Sequence, residues 1–253
     1  MLVSLLTDFG LRDTYLGQMK AVFLAVAPGT SLVDLTHAVP PQDVQAGAFL
    51  LAQGVEAFPA GSVHLAVVDP GVGSARRAVA ARAQRGDLFV GPDNGLLVPA
   101  LDRLGGVDSA VELREPSFWR LAAPSRTFHG RDIFAPVAGH LANGVPLERL
   151  GPVVDLLRPF ELATPRGLQG EVVYVDGYGN LVTNLAATTL PERYVVMLDQ
   201  QPIQPQPHYQ AVEPGELLAL VGSSGLLEIS ARDGSAAAKT GASRGSRIEV
   251  QPA

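Results

Sequence analysis

A chain of 253 residues that is 47% hydrophobic and 17% charged has enough apolar material for one large core or two ordinary ones, and lacks the composition of a disordered protein. Its formal net charge of -6 argues against the basic face of a nucleic-acid binder and the polybasic patch of a peripheral membrane protein. The absence of cysteine excludes disulfides, thiolate catalysis and cysteine-ligated zinc.

In chain order, Leu2–Leu6 reads as a buried strand stopped by Thr7-Asp8-Phe9-Gly10. The same residues lack a basic n-region and a cleavage site, and no apolar run reaches the ~18–20 residues that span a bilayer, so a cytoplasmic protein is expected. Tyr15–Val26 has apolar residues at helical spacing and ends at Pro28-Gly29. Ser31–Leu35 is a second strand, and Asp43–Leu51 is a helix with an N-cap aspartate. Val63–Val68 is a third strand, followed by Asp69-Pro70-Gly71. Ala78–Arg82 and Leu88–Val90 are further strands, the second ending at Gly91-Pro92-Asp93-Asn94-Gly95, and Arg131–Leu141 reads as a helix. This alternation predicts an α/β domain over residues 1–160 with a layered, mainly parallel sheet.

After about residue 160 the pattern changes, with Pro159–Gly167 as the junction. Gly170–Val175, Leu181–Asn184, Tyr194–Leu198, Glu216–Val221, Leu226–Ile229 and Arg247–Val250 are short strands separated by turns. Residues 168–253 are therefore expected to form a smaller all-β domain, either barrel-like or a sandwich, with Gly234–Gly245 as a loop.

Polar residues gather just past the predicted strand ends: Asp8, Asp69, Asp93 and Asn94, Asp176 and Asn180. Ligands of α/β sheets bind beyond the carboxyl ends of the strands, although Asp and Asn beside glycines also serve simply as turn formers. The segment Val67-Val68-Asp69-Pro70-Gly71-Val72-Gly73-Ser74-Ala75-Arg76-Arg77 puts an Asp and an Arg on one tight loop, but is neither a Walker A loop nor G-x-G-x-x-G. The bland alternative is a surface ion pair contributing ~0–1 kcal/mol. His129, between Phe128 and Gly130 and just before a helix, is placed to act near neutral pH. His64 lies inside a strand pattern and reads as structural. His37, His140 and His208 have no motif around them, and no H-E-x-x-H or G-x-S-x-G motif occurs, so neither a metal site nor a serine nucleophile is expected.

These segments, with Gly177-Tyr178-Gly179-Asn180 and Gly222-Ser223-Ser224-Gly225-Leu226-Leu227-Glu228-Ile229, resemble the adenosine-forming S-adenosyl-L-methionine hydrolases, a family related to the fluorinase and chlorinase. The resemblance follows one order over nearly the whole chain. It implies a homotrimer, with the small-molecule substrate between the N-terminal domain of one subunit and the C-terminal domain of the next, and neither cofactor nor metal. By motif, Asp69, Arg76 and His129 match the family's catalytic set, and Asp8 the carboxylate that holds the ribose hydroxyls. Asp176 and Asn180 match groups that grip the methionine end, Ser223 a contact to the methionine carboxylate, and the backbone near Arg232 and Asp233 the adenine contacts. The halogenases carry Tyr where Asp69 stands, Ser where Gly130 stands and Trp near Gln42, which points away from halide chemistry.

The reaction so implied is attack of water on C5′ of a sulfonium, with methionine leaving as a neutral thioether. The protein must place a water in line behind C5′ and make it more hydroxide-like. Arg76 beside the water, Asp69 orienting it and His129 taking its proton is one arrangement. A pre-formed hydroxide bound by Arg76 and Asp69 is another. Rival readings are a halide transferase on the same scaffold, a non-catalytic adenosine or S-adenosylmethionine binding protein, and a nucleoside hydrolase releasing adenine.

Overall fold

A computed structural model of the chain describes residues 1–160 and 162–253, so the expected junction at Pro159–Gly167 includes one position, Glu161, outside the described residues. The chain divides into two compact units, Met1–Phe160 and Glu161–Ala253.

The first unit contains β1 (Leu2–Thr7), α1 (Tyr15–Val26), β2 (Ser31–Thr36), α2 (Val44–Gly54), β3 (Val63–Val67), β4 (Ala78–Ala83), β5 (Leu88–Pro92), α3 (Val98–Arg103), β6 (Val107–Glu112) and α4 (Ala135–Ala142). The strands form one sheet in the order β2-β1-β3-β5-β4-β6. β1 runs parallel to β2 and β3, and β3 to β5, whereas β4 is antiparallel to both β5 and β6. Parallel neighbours need crossovers, which α1 and α2 provide. From β1 the chain first moves outward to β2 and then returns across β1 to β3. This reversal opens a crevice beyond the carboxyl ends of β1 and β3. In the register Thr7 pairs with Val67, so Asp8 and Asp69 leave adjacent strands at nearly the same level.

Side chains alternate across the sheet. Val3, Leu5 and Leu65 face a core shared with Met19 and Phe23 of α1 and Val137 and Leu141 of α4. On the opposite face Ser4 meets His64, Nδ1 to Oγ at 2.6 Å. The expected helix over Arg131–Leu141 begins as a π turn at Gly130–Phe134 and becomes α4 only at Ala135. Such turns recur at functional sites, and this one directly follows His129. Two elements were not expected. α3 is only six residues long and contains Pro99, too short to show a period. β6 closes the sheet beside β4, its outer edge bridged by Glu112 N–H to Pro152 O and Val154 N–H to Ala110 O, both at 2.9 Å, and it carries the polar pair Asp108 and Ser109, as suits an edge strand.

The second unit holds β7 (Gln169–Val175), β8 (Leu181–Ala186), β9 (Tyr194–Leu198), β10 (Gln201–Ile203), β11 (Leu217–Val221), β12 (Leu226–Ala231), α5 (Ala236–Thr240) and β13 (Arg247–Pro252). They form an antiparallel sheet, β10-β9-β13-β7-β8-β12-β11. The segment after β10 then bridges to β11 through Gln206 N–H to Ala219 O at 2.8 Å and Ala219 N–H to Gln204 O at 3.1 Å, which nearly closes a barrel. Its core includes Val172, Leu181, Val196, Ile229 and Ile248. The expected loop Gly234–Gly245 is corrected by α5, whose Ser235 cap accepts from Ala238 N–H at 3.0 Å and whose Gly241 adopts the left-handed conformation. Five residues are too few for periodicity to register. Among the described residues no helix is long and apolar enough to cross a membrane, and no group of three or more metal-ligating side chains occurs.

His64 is structural, fully buried between Phe58 and Phe89 with ring centroids 5.4 and 4.7 Å away. Its Nε2 lies 3.3 Å from Asp87, which Arg85 holds from two nitrogens at 2.8 Å. Burial pushes the His64 pKa below its ordinary 6.5. The unfolded chain therefore takes up this proton before the folded one does, so the stability that neutral His64 contributes is present above pH ~6.5 and lost as pH falls, at up to ~1.4 kcal/mol per pH unit per proton. Thermal unfolding between pH 7.5 and 5 should show a falling midpoint, with a shallower slope in His64→Gln. An identical slope in that variant would contradict this assignment.

Candidate active site

The β3 strand delivers Asp69 to the crevice, and the loop that follows turns back to present Arg76. Arg76 grips Asp69 from two nitrogens, Nε to Oδ1 at 3.1 Å and Nη2 to Oδ2 at 2.6 Å. Nη1 donates to Arg77 O at 3.0 Å, and the guanidinium carbon lies 5.4 Å from the Phe134 ring centroid. Only 8% of the Arg76 side chain and 6% of that of Asp69 is exposed, so this is not a surface ion pair. Buried pairs are costly to desolvate and are weak devices for stability. Gly73, at φ 75°, lets this loop run against the carbonyl of Arg126, where any Cβ would collide. Three residues further on stands His129.

Arg76 Nη2 also lies 3.0 Å from His129 Nδ1. A guanidinium only donates, so Nδ1 is the acceptor and the network assigns His129 as the neutral imidazole with its proton on Nε2. Burial, together with the Arg76 charge, lowers the His129 pKa, which favours the same neutral form. Burial raises the Asp69 pKa above its ordinary 3.8, against the opposing pull of Arg76.

Asp69 and His129 line a cavity of about 510 Å³ together with Asp8, Gln42, Phe128 and Arg131. Arg76 backs this wall rather than forming it. Asp8 Oδ2 accepts the backbone N–H of Gln42 at 2.8 Å, and Gln42 takes a φ of 66° to offer it. Phe9, Tyr15 and Phe128 form an aromatic flank, with centroid separations of 6.2, 5.7 and 5.2 Å. Asp132, fully buried, accepts from Ser125 N–H at 2.9 Å and Arg131 Nε at 2.7 Å, which pins the loop leading into His129. Tyr15 belongs to no motif, and Gln42 entered only by comparison with the halogenases' Trp; Phe128 and Asp132 lie one and three positions from His129 in the same segment, which is the signal that points to them.

Not every strand-end polar residue belongs to this cavity. Asp93 is buried and accepts from Arg77 Nε at 2.8 Å and Leu157 N–H at 2.8 Å. Asn94 donates to Val68 O at 2.9 Å. Both secure turns, as the simpler reading of such residues has it.

In the second unit, Asn180, Arg232 and Asp233 share a cavity of about 910 Å³ with Tyr178, His208 and Tyr209. Asp176 caps the β7–β8 turn, accepting from the N–H groups of Tyr178 and Asn180 and from Asn180 Nδ2, each at 2.9 Å. It thereby fixes the Asn180 side chain. Tyr209 donates to Glu228 at 2.9 Å, and burial together with that carboxylate pushes its pKa up to about 12. Ser223 lies apart. It sits exposed in the turn that enters β12, whereas Arg232 follows the end of that strand, roughly 17 Å further on at a strand's rise per residue.

Chain comparisons agree with one another. Residues 3–151 match the model of the SAM hydroxide adenosyltransferase N-terminal domain and residues 170–249 that of the SAM hydroxide adenosyltransferase C-terminal domain. A protein of Salinispora tropica named (R)-S-adenosyl-L-methionine hydrolase is 46% identical, over 98% of this chain and 97% of its own. A protein of Actinoplanes sp. named fluorinase is 28% identical, over 75% of this chain and 73% of its own. A crystal structure of an uncharacterized conserved protein from Thermotoga maritima superposes with a TM-score of 0.90 at 34% identity, covering 99% of this chain and all (100%) of that one. The chain belongs to the SAM hydroxide adenosyltransferase family.

Proposed function

We propose that this chain hydrolyses S-adenosyl-L-methionine to adenosine and L-methionine, using water and no cofactor. The carrying observation is the buried Asp69–Arg76–His129 network that faces a cavity at the sheet's reversal point. The sulfonium carbon C5′ is already electrophilic, and methionine departs as a neutral thioether. Water supplies the oxygen of the new C5′–O bond, the C5′–S electron pair goes to sulfur, and one proton is released.

The tautomer directs the roles. Nδ1 of His129, its one lone pair, is engaged by Arg76, so His129 offers the water an Nε2–H rather than a proton acceptor. Asp69 is the acceptor. Arg76 occupies one lone pair on each of its oxygens and the Gly71 backbone N–H adds a further hydrogen bond, so the carboxylate still has a lone pair left for the water. We therefore read Asp69 as the group that takes the water's proton, His129 as the donor that orients the water, and Arg76 as the positioning residue that holds both. Asp8 holds the ribose hydroxyls.

The second cavity completes the substrate envelope. Asn180 shares it with Arg232 and Asp233, so we assign Asn180 to the adenine end together with that backbone. Asp176 braces it, and Ser223 is left for the methionine carboxylate. We infer a homotrimer in which a neighbouring subunit supplies this half. Halide chemistry is disfavoured by packing as well as by Asp69. A Cβ at Gly130 would stand 3.2 Å from ring atoms of both Phe128 and Phe9, tighter than ordinary contact, so the halogenases' serine does not fit without a shift.

Incubation with S-adenosyl-L-methionine in ¹⁸O water should give adenosine carrying the label at O5′ and unlabelled methionine. Release of adenine would indicate a nucleoside hydrolase, a 5′-chloro nucleoside in chloride a halide transferase, and binding without products a non-catalytic protein. Any of these three outcomes overturns the proposal.

A further inference from the structure

His37 stands outside every motif, yet the structure places it behind the loop that carries Asp8. Its side chain is only 3% exposed, and its Nδ1 lies 2.8 Å from Thr7 Oγ1, where Thr7 itself is fully buried at the end of β1. Thr7 Oγ1 also accepts the backbone N–H of Phe9 at 3.2 Å. A carboxylate oxygen, which only accepts, faces Nε2, so the imidazole proton is assigned to Nε2 and Nδ1 accepts the Thr7 hydroxyl. That Nε2 faces Asp34 Oδ1 at 3.1 Å, off the line of a good hydrogen bond, and Asp34 is anchored to α1 by Lys20 Nζ at 2.7 Å. The backbone carbonyl of His37 accepts Gly10 N–H at 2.8 Å. His37 thus clamps both ends of Thr7–Gly10, with Asp8 between them.

We propose that His37 is the positioning residue for Asp8. Joined to Thr7 through its side chain and to Gly10 through its carbonyl, it holds the ribose-binding carboxylate at the angle at which Gln42 N–H completes it. The proposal rests on the reading of Asp8 given above. His37 does not line the cavity, so it acts on binding through Asp8 and leaves the attacking water untouched. The Thr7 contact carries the effect, because it is the aligned one.

Steady-state kinetics on the full-length protein test this. His37→Leu fills the volume without hydrogen bonds and should raise KM for S-adenosyl-L-methionine about tenfold, with kcat within about twofold, as expected for one lost polar contact that binds ground and transition states alike. His37→Asn, whose Oδ1 can still accept from Thr7, should restore KM to within about twofold of wild type. In an Asp8→Ala background His37→Leu should have no further effect. An unchanged KM in His37→Leu, no rescue by Asn, or a full penalty without Asp8 overturns the proposal. If His37→Leu does not fold, Thr7→Val carries the same expectation. A wild-type protein that makes no adenosine overturns the reaction instead. The His37 variants are then compared by calorimetric affinity for adenosine, where the same tenfold pattern supports the clamp and an unchanged affinity overturns it.

Discussion

Replacing Arg76 by alanine should reduce adenosine release by about 10³-fold, within the ~10²–10⁴ range of a lost general base. Arg76 is the partner that opposes the upward push of burial on the Asp69 pKa. Without it, the Asp69 carboxyl is pushed further toward its protonated form, and the carboxylate that accepts the water's proton is no longer held in place. His129 also loses the donor that reserves its Nδ1, so the imidazole is free to take the wrong tautomer. Asp69→Asn should cost as much as Arg76→Ala, and the double variant little more than either, because the groups work as one unit. His129→Ala should likewise abolish release, by removing the Nε2–H that aims the water. Opening a buried pair destabilises by about 3–5 kcal/mol, so rates are to be taken below the measured unfolding midpoint. Full activity in Arg76→Ala would sink the scheme. In the wild type, the acid limb of kcat/KM should lie above the ordinary carboxylate value of 3.8, since Asp69 is raised, while His129, lowered from 6.5, stays neutral at pH 7.

The second large effect is a recovery rather than a loss. The Asp69→Ala and Asn180→Ala proteins should each be nearly inactive, but mixing them under subunit exchange should restore activity. Each site of the proposed trimer takes its first half from one subunit and its second half from a neighbour. A site that pairs the intact first unit of the Asn180→Ala chain with the intact second unit of the Asp69→Ala chain works. Random assembly of equal amounts should recover about a quarter of the wild-type rate, as expected for a closed ring of heterologous contacts. No recovery, with exchange verified by mass, would place both halves of the site within one subunit.

The local part of the chemistry was readable in the sequence because it lies in short contiguous stretches. Asp69 and Arg76 are seven positions apart on one glycine-bearing loop, and His129 starts a helical segment. Strand and helix identities followed from spacing in the longer apolar elements, as in Tyr15–Val26, whereas β6 escaped because Asp108 and Ser109 break its apolar pattern. Elements as short as α3 and α5 escaped because they are too short to show a period. Asp93 and Asn94 looked like site residues because turn formers and ligand binders use the same side chains at strand ends; only their partners distinguish them.

By itself, then, the sequence determined the order of the elements, the change to short strands near residue 160, and the residue types available for attack on a sulfonium. These depend on local propensity and side-chain chemistry. Tertiary structure decided what each residue does. His129 meets Arg76 across 53 positions, where the loop at Gly73 packs on Arg126, and His37 meets Thr7 across 30, where the parallel strands β1 and β2 end side by side. Tertiary packing puts Arg76 behind the cavity wall, sets the proton of His129 on Nε2 and leaves Asp69 as the acceptor that faces the cavity. It also separates Ser223 from Asn180 by the length of β12. No local pattern encodes these relations, because a hydrogen bond's direction is set by where two remote backbones come to rest.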